Sequence, residues 1–502
     1  MKQTVFLMMI LRAVISGCSD QGVLNQDLDQ PKVNVTKAGP PAQLAWKMAS
    51  LTWPDLCTKV KFEVQDSRGA TTLASDDTTI LLASTSPIFY SDSLCSNPIL
   101  AASVVLLQNS SLTVIYLKSS TVGLARLDIA APGLASASLT FNTVTPVSDL
   151  VLGQMNFTSS VANHGGISAA AMSSSFSATT DGHKVFVADQ ANSRILIWNS
   201  KNPGSGLNAD LVLGQPDFSS SVSNNGGVSA SSLGSVESVS SDGKRLFAVD
   251  MANHRILIWK SIPTSNFQAA DVVIGQPNMV SNQINNGGLG PSTLSSPKSV
   301  FSDGKKLVVS DAGNNRVLIW NTIPKSNFQP ADVVIGQVDM NSRTVGFKSF
   351  ELNNPNFASI QEGHLTVSDS SNHRILLWNI VPTSDGTSAD LVIGQTNITS
   401  RLAHAAHVGA DGLTNPGGVR IDSQGRVYVL DSGSNRLLIW NQIPTSSGAP
   451  ADLVIGQSDF LSNLSGTSSA NFDHPWGLDI HDNELWIGDQ GNNRVLRMTI
   501  PF

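Results

Sequence analysis

From about residue 147 onward, two short patterns alternate along this 502-residue chain, and each occurs six times. One reads Asp189-Gln-Ala-Asn-Ser-Arg194 and runs on through Ile-Leu-Ile to Trp198. It begins again at Asp250, Asp311, Asp369, Asp431 and Asp489, with Arg255, Arg316, Arg374, Arg436 and Arg494 five places further on. The other, Asp149-Leu-Val-Leu-Gly-Gln154, returns at Asp210, Asp271, Asp332, Asp390 and Asp452. A unit recurring every 58 to 62 residues is one supersecondary motif that buries its apolar faces only against its neighbours.

Each unit holds four β-candidates: a stretch after Pro297 or its equivalents, a run such as Lys184-Val-Phe-Val-Ala188, the Arg-Ile-Leu-Ile-Trp run, and Asp-Leu-Val-Ile-Gly. Runs such as Ile195-Leu-Ile-Trp198 are apolar on both faces, so their sheets must be covered on both sides. A ring of four-stranded sheets packed face against face meets that demand, which predicts an all-β chain with a six-bladed β-propeller over residues 146–502. The Asp-x-x-Asn-x-Arg motif ahead of an apolar strand resembles the NHL repeat across all six units, although these units are longer than is usual for it. That resemblance implies the same six blades. Two copies depart: Ser434 stands where Asn is expected, and Arg497-Met498 replaces Ile-Trp in the sixth.

The phase of the two patterns predicts how the ring closes. The Asp-Leu-Val-Leu-Gly-Gln pattern precedes the first Asp-x-x-Asn-x-Arg and never follows the last. A three-stranded final sheet would expose an edge, so residues 147–154 should supply the fourth strand of the last blade.

The recurring Asp and Arg side chains read as structural. Asp and Asn can satisfy the backbone of a tight turn, and Arg can pair with Asp to offset burial. A catalytic set, by contrast, converges from different residues at one place. Function is expected where the repeats differ. The roughly 20-residue insertions after each Gly-Gln, rich in Ser, Asn and Gly, share one face with the motif turns and should form a crown of adaptable loops around the channel. Near its mouth the position after the Pro-equivalent varies: Ser177, Glu237, Lys298, Asn356, Gly417 and Trp476, with His474 ahead of Pro475. Glu237, Lys298, Asn356, His474 and Trp476 are the candidate binding residues. A Trp platform with an acid and a base suits a small ligand or peptide, against ordinary variation of channel-lining residues.

Related propellers include amidating lyases and lactonases with metal sites, so the resemblance leaves open a metal-dependent enzyme at the channel mouth. Here His254 and His373 share one turn position, where a surface role is simplest. His404, His407 and Asp411 could hold a divalent metal only if their loop became helical. No Gly-x-Ser-x-Gly elbow, phosphate loop or cysteine nucleophile is present. The expectation is a binding scaffold without a catalytic residue, resident metal or cofactor.

Ahead of the repeats, residues 1–18 pair Lys2 with an apolar run and read as an export signal. Ile15-Ser-Gly-Cys18 resembles a bacterial lipobox, which implies lipidation at Cys18; an ordinary secretory signal is the alternative, since Arg12 interrupts the apolar run. Residues 19–45 read as a polar tether. Residues 46–145 hold short β-type runs that predict a sandwich, and the surroundings of Cys57 and Cys95 resemble immunoglobulin-like modules of bacterial surface proteins, a spacer. In an exported chain those two cysteines suit a disulfide better than a metal site. With 31 Lys and Arg against 38 Asp and Glu, and no basic run, nucleic acid is excluded as a partner. The expected protein is a monomer in the cell envelope, lipid-anchored to the outer membrane or cell surface, or else periplasmic or secreted. It would touch membrane through the anchor alone and bind a protein or glycan.

Overall fold

The computed structural model describes residues 40–500 except 48–50, 55, 85–87, 93–94 and 101–102. The signal, Cys18 and most of the tether lie outside the described residues. Doubly apolar runs such as Val185–Asp189 and Arg194–Trp198 form strands buried along their whole length. Six antiparallel four-stranded sheets result. Blades 1 to 5 occupy residues 175–213, 236–274, 299–335, 355–393 and 419–455, and blade 6 joins 475–499 to the distant 150–152. The first strand of each blade touches the first strands of both neighbours, and that of blade 6 touches that of blade 1, so the ring is closed. Aliphatic side chains of adjacent sheets merge into shared cores, as Val317 and Ile319 of blade 3 do with Leu365 and Val367 of blade 4.

The expected closure is present. Leu150, Val151 and Leu152 pair antiparallel with Arg497, Leu496 and Val495. The sixth blade's sequence departures belong to this seam. In blades 1 to 5 the Asp that opens the fourth strand accepts the backbone N–H of the residue after Trp, as Asp210 does from Asn199 at 2.7 Å. In blade 6, Asp149 instead accepts Arg497 Nε at 2.8 Å and Thr499 Oγ1 at 2.6 Å. Each Trp of the other blades donates Nε1 to a carbonyl of the loop leading to its fourth strand, Trp198 to Leu207 at 3.1 Å for example. Blade 6 receives its fourth strand from upstream, so no such loop needs holding, and Met498 fills the place.

Upstream, the strands follow one path in the order 88–90, 112–118, 58–65, 43–47, 134–143, 123–131, 78–84 and 103–106, a sheet curled so that its halves share one core. Alternation along Thr58–Gln65 puts Val60, Phe62 and Val64 inside. The expected facing layers are thus a continuous sheet joined where Gln43 pairs with Ala135. Cys57 and Cys95 are bonded. Both flank strands of the same half, whereas immunoglobulin domains place their disulfide between two sheets. Nor is the module only a spacer: Trp53 and Leu56 enter the core of blades 5 and 6, and the Cys57 N–H donates to Asn441 Oδ1 at 3.1 Å.

Candidate functional site

The six Asp-x-x-Asn-x-Arg turns are nearly identical. Asp189 Oδ2 accepts Arg194 Nε at 2.7 Å and Asn192 Nδ2 at 2.8 Å, while its Oδ1 accepts the Ser173 N–H at 2.8 Å. Both charged side chains are fully buried in every copy. Burial pushes the carboxyls of Asp369 and Asp489 up to about 6 against the pull of Arg374 and Arg494. The guanidinium also donates to backbone carbonyls: Arg194 reaches Phe218 in the insertion after blade 1, and Ser168 and Ala171 in the one before it. The Gly-Gln glutamine works with it, as Gln215 Nε2 donates to Ser193 and Val222 carbonyls at 3.2 and 2.9 Å. The insertions expected to be adaptable are therefore pinned at both ends. Ser434 of the fifth turn makes no bond to its insertion like the one from Asn372 to the Gly346 carbonyl.

The residue ending each turn takes a left-handed conformation, with φ from 51 to 54° at Ser193, His254, Asn315, His373, Asn435 and Asn493. From there it reaches the next blade. His254 and His373 accept backbone N–H groups of Ser296 and Asn415 through Nδ1 at 3.0 and 3.1 Å. Asn315, Asn435 and Asn493 accept those of Asn354, His474 and Ser174 through Oδ1. The surface role expected of His254 and His373 is corrected: they latch adjacent blades, because a left-handed residue aims its side chain across the junction. Burial lowers both imidazole pKa values.

At the channel mouth the register needs one correction. A bulge between Ser175 and Ser177 makes Phe176, not Ser177, the equivalent of Glu237, Asn356 and Trp476. Ser177 turns aside and accepts the Val239 N–H at 3.0 Å. Phe176 and Trp476 meet edge to face at 5.5 Å. Lys298 pairs with Glu237 at 3.3 Å, and its Nζ lies 5.9 Å from the Phe176 ring centroid, two blades away across the axis. Gln190 Nε2 donates to the same Glu237 oxygen at 3.0 Å. Burial pushes the Glu237 carboxyl up and Lys298 pulls it down. Deeper, Arg420 of blade 5 stacks over Phe301 of blade 3 at 5.0 Å and pairs with Asp479 at 3.2 Å.

The structure thus brings Glu237, Lys298 and Trp476 together with the unforeseen Phe176 as a plug, not an open floor. Asn356 shares the ring but is buried, and Gly417 packs under the Trp476 carbonyl. His474 stands apart, mostly exposed and 2.8 Å from Asp473. The fifth insertion forms a short 3-10 turn, Ala403–Ala406, not an α-helix. His407 lies 3.6 Å from Asp411 there, and no group of three His, Cys, Asp or Glu among the described residues is placed to hold a metal ion.

Above the plug, each insertion exposes an aliphatic side chain at or beside the residue whose carbonyl its glutamine holds. These are Val161, Val222, Ile284, Val345, Leu402 and Leu464, each 57 to 77% exposed. Charge is unevenly spread over the rim: Asp, Glu, Lys and Arg are absent from 155–173 and 277–297, and 216–235 contains Asp217 alone, whereas the last three insertions carry Asp339, Arg343, Lys348, Glu351, Arg401, Asp411, Asp459 and Asp473. Nothing in the repeat pattern announced this ring, because the apolar residue shifts by one place in the third and fourth insertions.

A family model for the NHL repeat matches residues 413–440. None of the curated protein sequences matches the chain. A Bacteroides thetaiotaomicron protein of unknown function is similar at 12% identity and a TM-score of 0.47, over 92% of this chain and 99% of that one. A catalytically inactive virginiamycin B lyase from Staphylococcus aureus with quinupristin is similar at 13% identity and a TM-score of 0.35, over 65% of this chain and 95% of the lyase.

Proposed function

We infer that this NHL-repeat six-bladed propeller, with its β-rich N-terminal module, is an exported interaction scaffold that takes a protein or glycan on the rim of its six insertions. One observation carries the reading: six exposed aliphatic residues sit on loops that the motif Arg and the Gly-Gln glutamine hold rigid. Pinned loops lose little entropy on binding, and recurring exposed apolar side chains favour association. Trp476 and His474 form the inner edge of the ligand surface. The Cys57–Cys95 bond accords with an oxidising compartment, and anchoring through Cys18 completes the picture.

The test is a screen of glycan and peptide arrays with the wild-type chain and a Val222→Asp/Leu464→Asp variant. A ligand bound by the first and at least tenfold weaker with the second is expected. Equal binding by both, or a stoichiometric metal retained by the purified protein through dialysis, would favour the lyase- or lactonase-like alternative or another surface.

A further inference from the structure

The face opposite the rim, built from the hairpins between first and second strands and the loops after the third, is divided by charge. Between blades 4, 5 and 6 a cavity of about 440 Å³ is lined by Glu362, Asp422 and Asp482, with no Lys or Arg. Between blades 2 and 3 a cavity of about 410 Å³ is lined by Lys244, Lys260, Lys305 and Lys325, with Arg245 beside them. Arg245 is held by Asp242 at 2.5 Å. The neighbouring acids are engaged by backbone: Asp303 accepts the N–H groups of Lys305 and Lys306, and Asp271 that of Lys260. Among the described residues the four lysines make no ion pair.

These lysines are specific to two blades. Lys260 stands where blades 1, 3, 4 and 5 carry Asn199, Asn321, Asn379 and Asn441, and Lys325 stands where blades 2, 4 and 5 carry Thr264, Thr383 and Thr445. In a chain of net charge −7, four cations without an ion-pair partner gather around one concavity, where they repel each other. The floor is different in kind: Ile258, Ile323 and Pro324 are buried and apolar, and the Gly304 backbone borders open space.

We propose that this cavity is a binding site for a multivalent phosphate-type anion. Ammonium groups act as compact point charges, which suits the charge density of phosphate; the planar fork that favours a carboxylate belongs to Arg245 and is already used. Ile323 and Pro324 would receive the apolar body of a phosphate-bearing ligand. Two sources share this chemistry, a phospholipid headgroup and a soluble phosphorylated compound.

Calorimetric titration of the full chain with inorganic pyrophosphate, and co-sedimentation with phosphatidylcholine vesicles with or without phosphatidic acid, test the site. The comparison is a variant carrying Lys244→Gln, Lys260→Gln, Lys305→Gln and Lys325→Gln, with Lys184→Gln on blade 1 as control. Pyrophosphate binding weakened at least tenfold in the quadruple variant and unchanged in the control is expected. All four side chains are exposed, so the melting temperature should hold; the doubles at 244/305 and 260/325, each at least threefold weaker, serve if it does not. Lysine-dependent binding to phosphatidic acid vesicles alone assigns the headgroup, and binding to pyrophosphate alone assigns a soluble ligand. Binding to neither, or equal affinity in wild type and variant, overturns the proposal.

Discussion

Blade 2 is one uninterrupted stretch of chain, whereas blade 6 is assembled from segments more than 300 residues apart. Their inner three strands are built alike, down to the Asp250–Arg255 and Asp489–Arg494 pairs at 2.8 and 2.7 Å. They differ at the outer edge. Blade 2 holds its fourth strand by chain connectivity, a Trp259 bond to the loop and a backbone bond to Asp271. Blade 6 has no connecting loop there, and side chains take over: Arg497 and Thr499 on Asp149. Neighbouring loops clasp both edges, since Asn327 caps the Val273 N–H of blade 2 as Ser205 caps the Val151 N–H of blade 6. Covalent continuity is therefore replaceable by three backbone-paired residues and one ion pair, provided the inner strands are already in place.

The largest effect should come from removing residues 147–154. Leu150, Val151 and Leu152 are almost wholly buried, and exposing three such side chains costs about 5–8 kcal/mol, comparable to the roughly 5–15 kcal/mol of a typical domain. The propeller should unfold or aggregate through the bare edge at 494–499; a thermal melt identical to wild type would show that closure adds nothing. Smaller is Arg497→Ile, which restores the repeat's residue but removes the charged bonds to Asp149. Loss of about 1.5–3 kcal/mol in chemical denaturation is expected, and no loss would mean that backbone pairing alone holds the seam.

The smallest effect separates junctions latched by histidine from those latched by asparagine. His254 and His373 accept through Nδ1, and burial lowers both pKa values from that of a free imidazole. Below pH 6.5 the unfolded chain takes up protons that the folded latches refuse. Their contribution is thus complete above that pH and is lost as pH falls through it, by about 1 kcal/mol per latch. Asp369 and Asp489, raised to about 6, act in the opposite sense. The informative quantity is therefore the difference between wild type and His254→Asn/His373→Asn from pH 7.5 to 5.5. It should shift in favour of the variant at acid pH; a constant difference would rule out titration of these latches.

Periodicity made the blades legible, and the phase of two patterns made the seam legible, because both are properties of spacing. The mouth reads one residue out in blade 1 because Ser175 replaces the proline that marks the place in blades 3, 4 and 6; the bulge itself is shared by blades 1, 2, 4 and 6, with Phe176, Glu237, Asn356 and Trp476 each 13 residues before the motif Asp. Loop rigidity was hidden for another reason: the partners of Arg194 and Gln215 are carbonyls of residues that no repeat specifies. Trp53 and Leu56 resembled ordinary strand residues of their own module, and the four lysines are spread over 82 positions, so no local run betrayed them.

The wedge of Trp53 and Leu56 against blades 5 and 6 has a mechanical meaning. Tension arriving from the N-terminal side meets that hydrophobic abutment before it reaches the three-residue strand at 150–152. The most vulnerable joint of the toroid is therefore strain-relieved, much as a cable is clamped to its housing so that a tug never loads the solder.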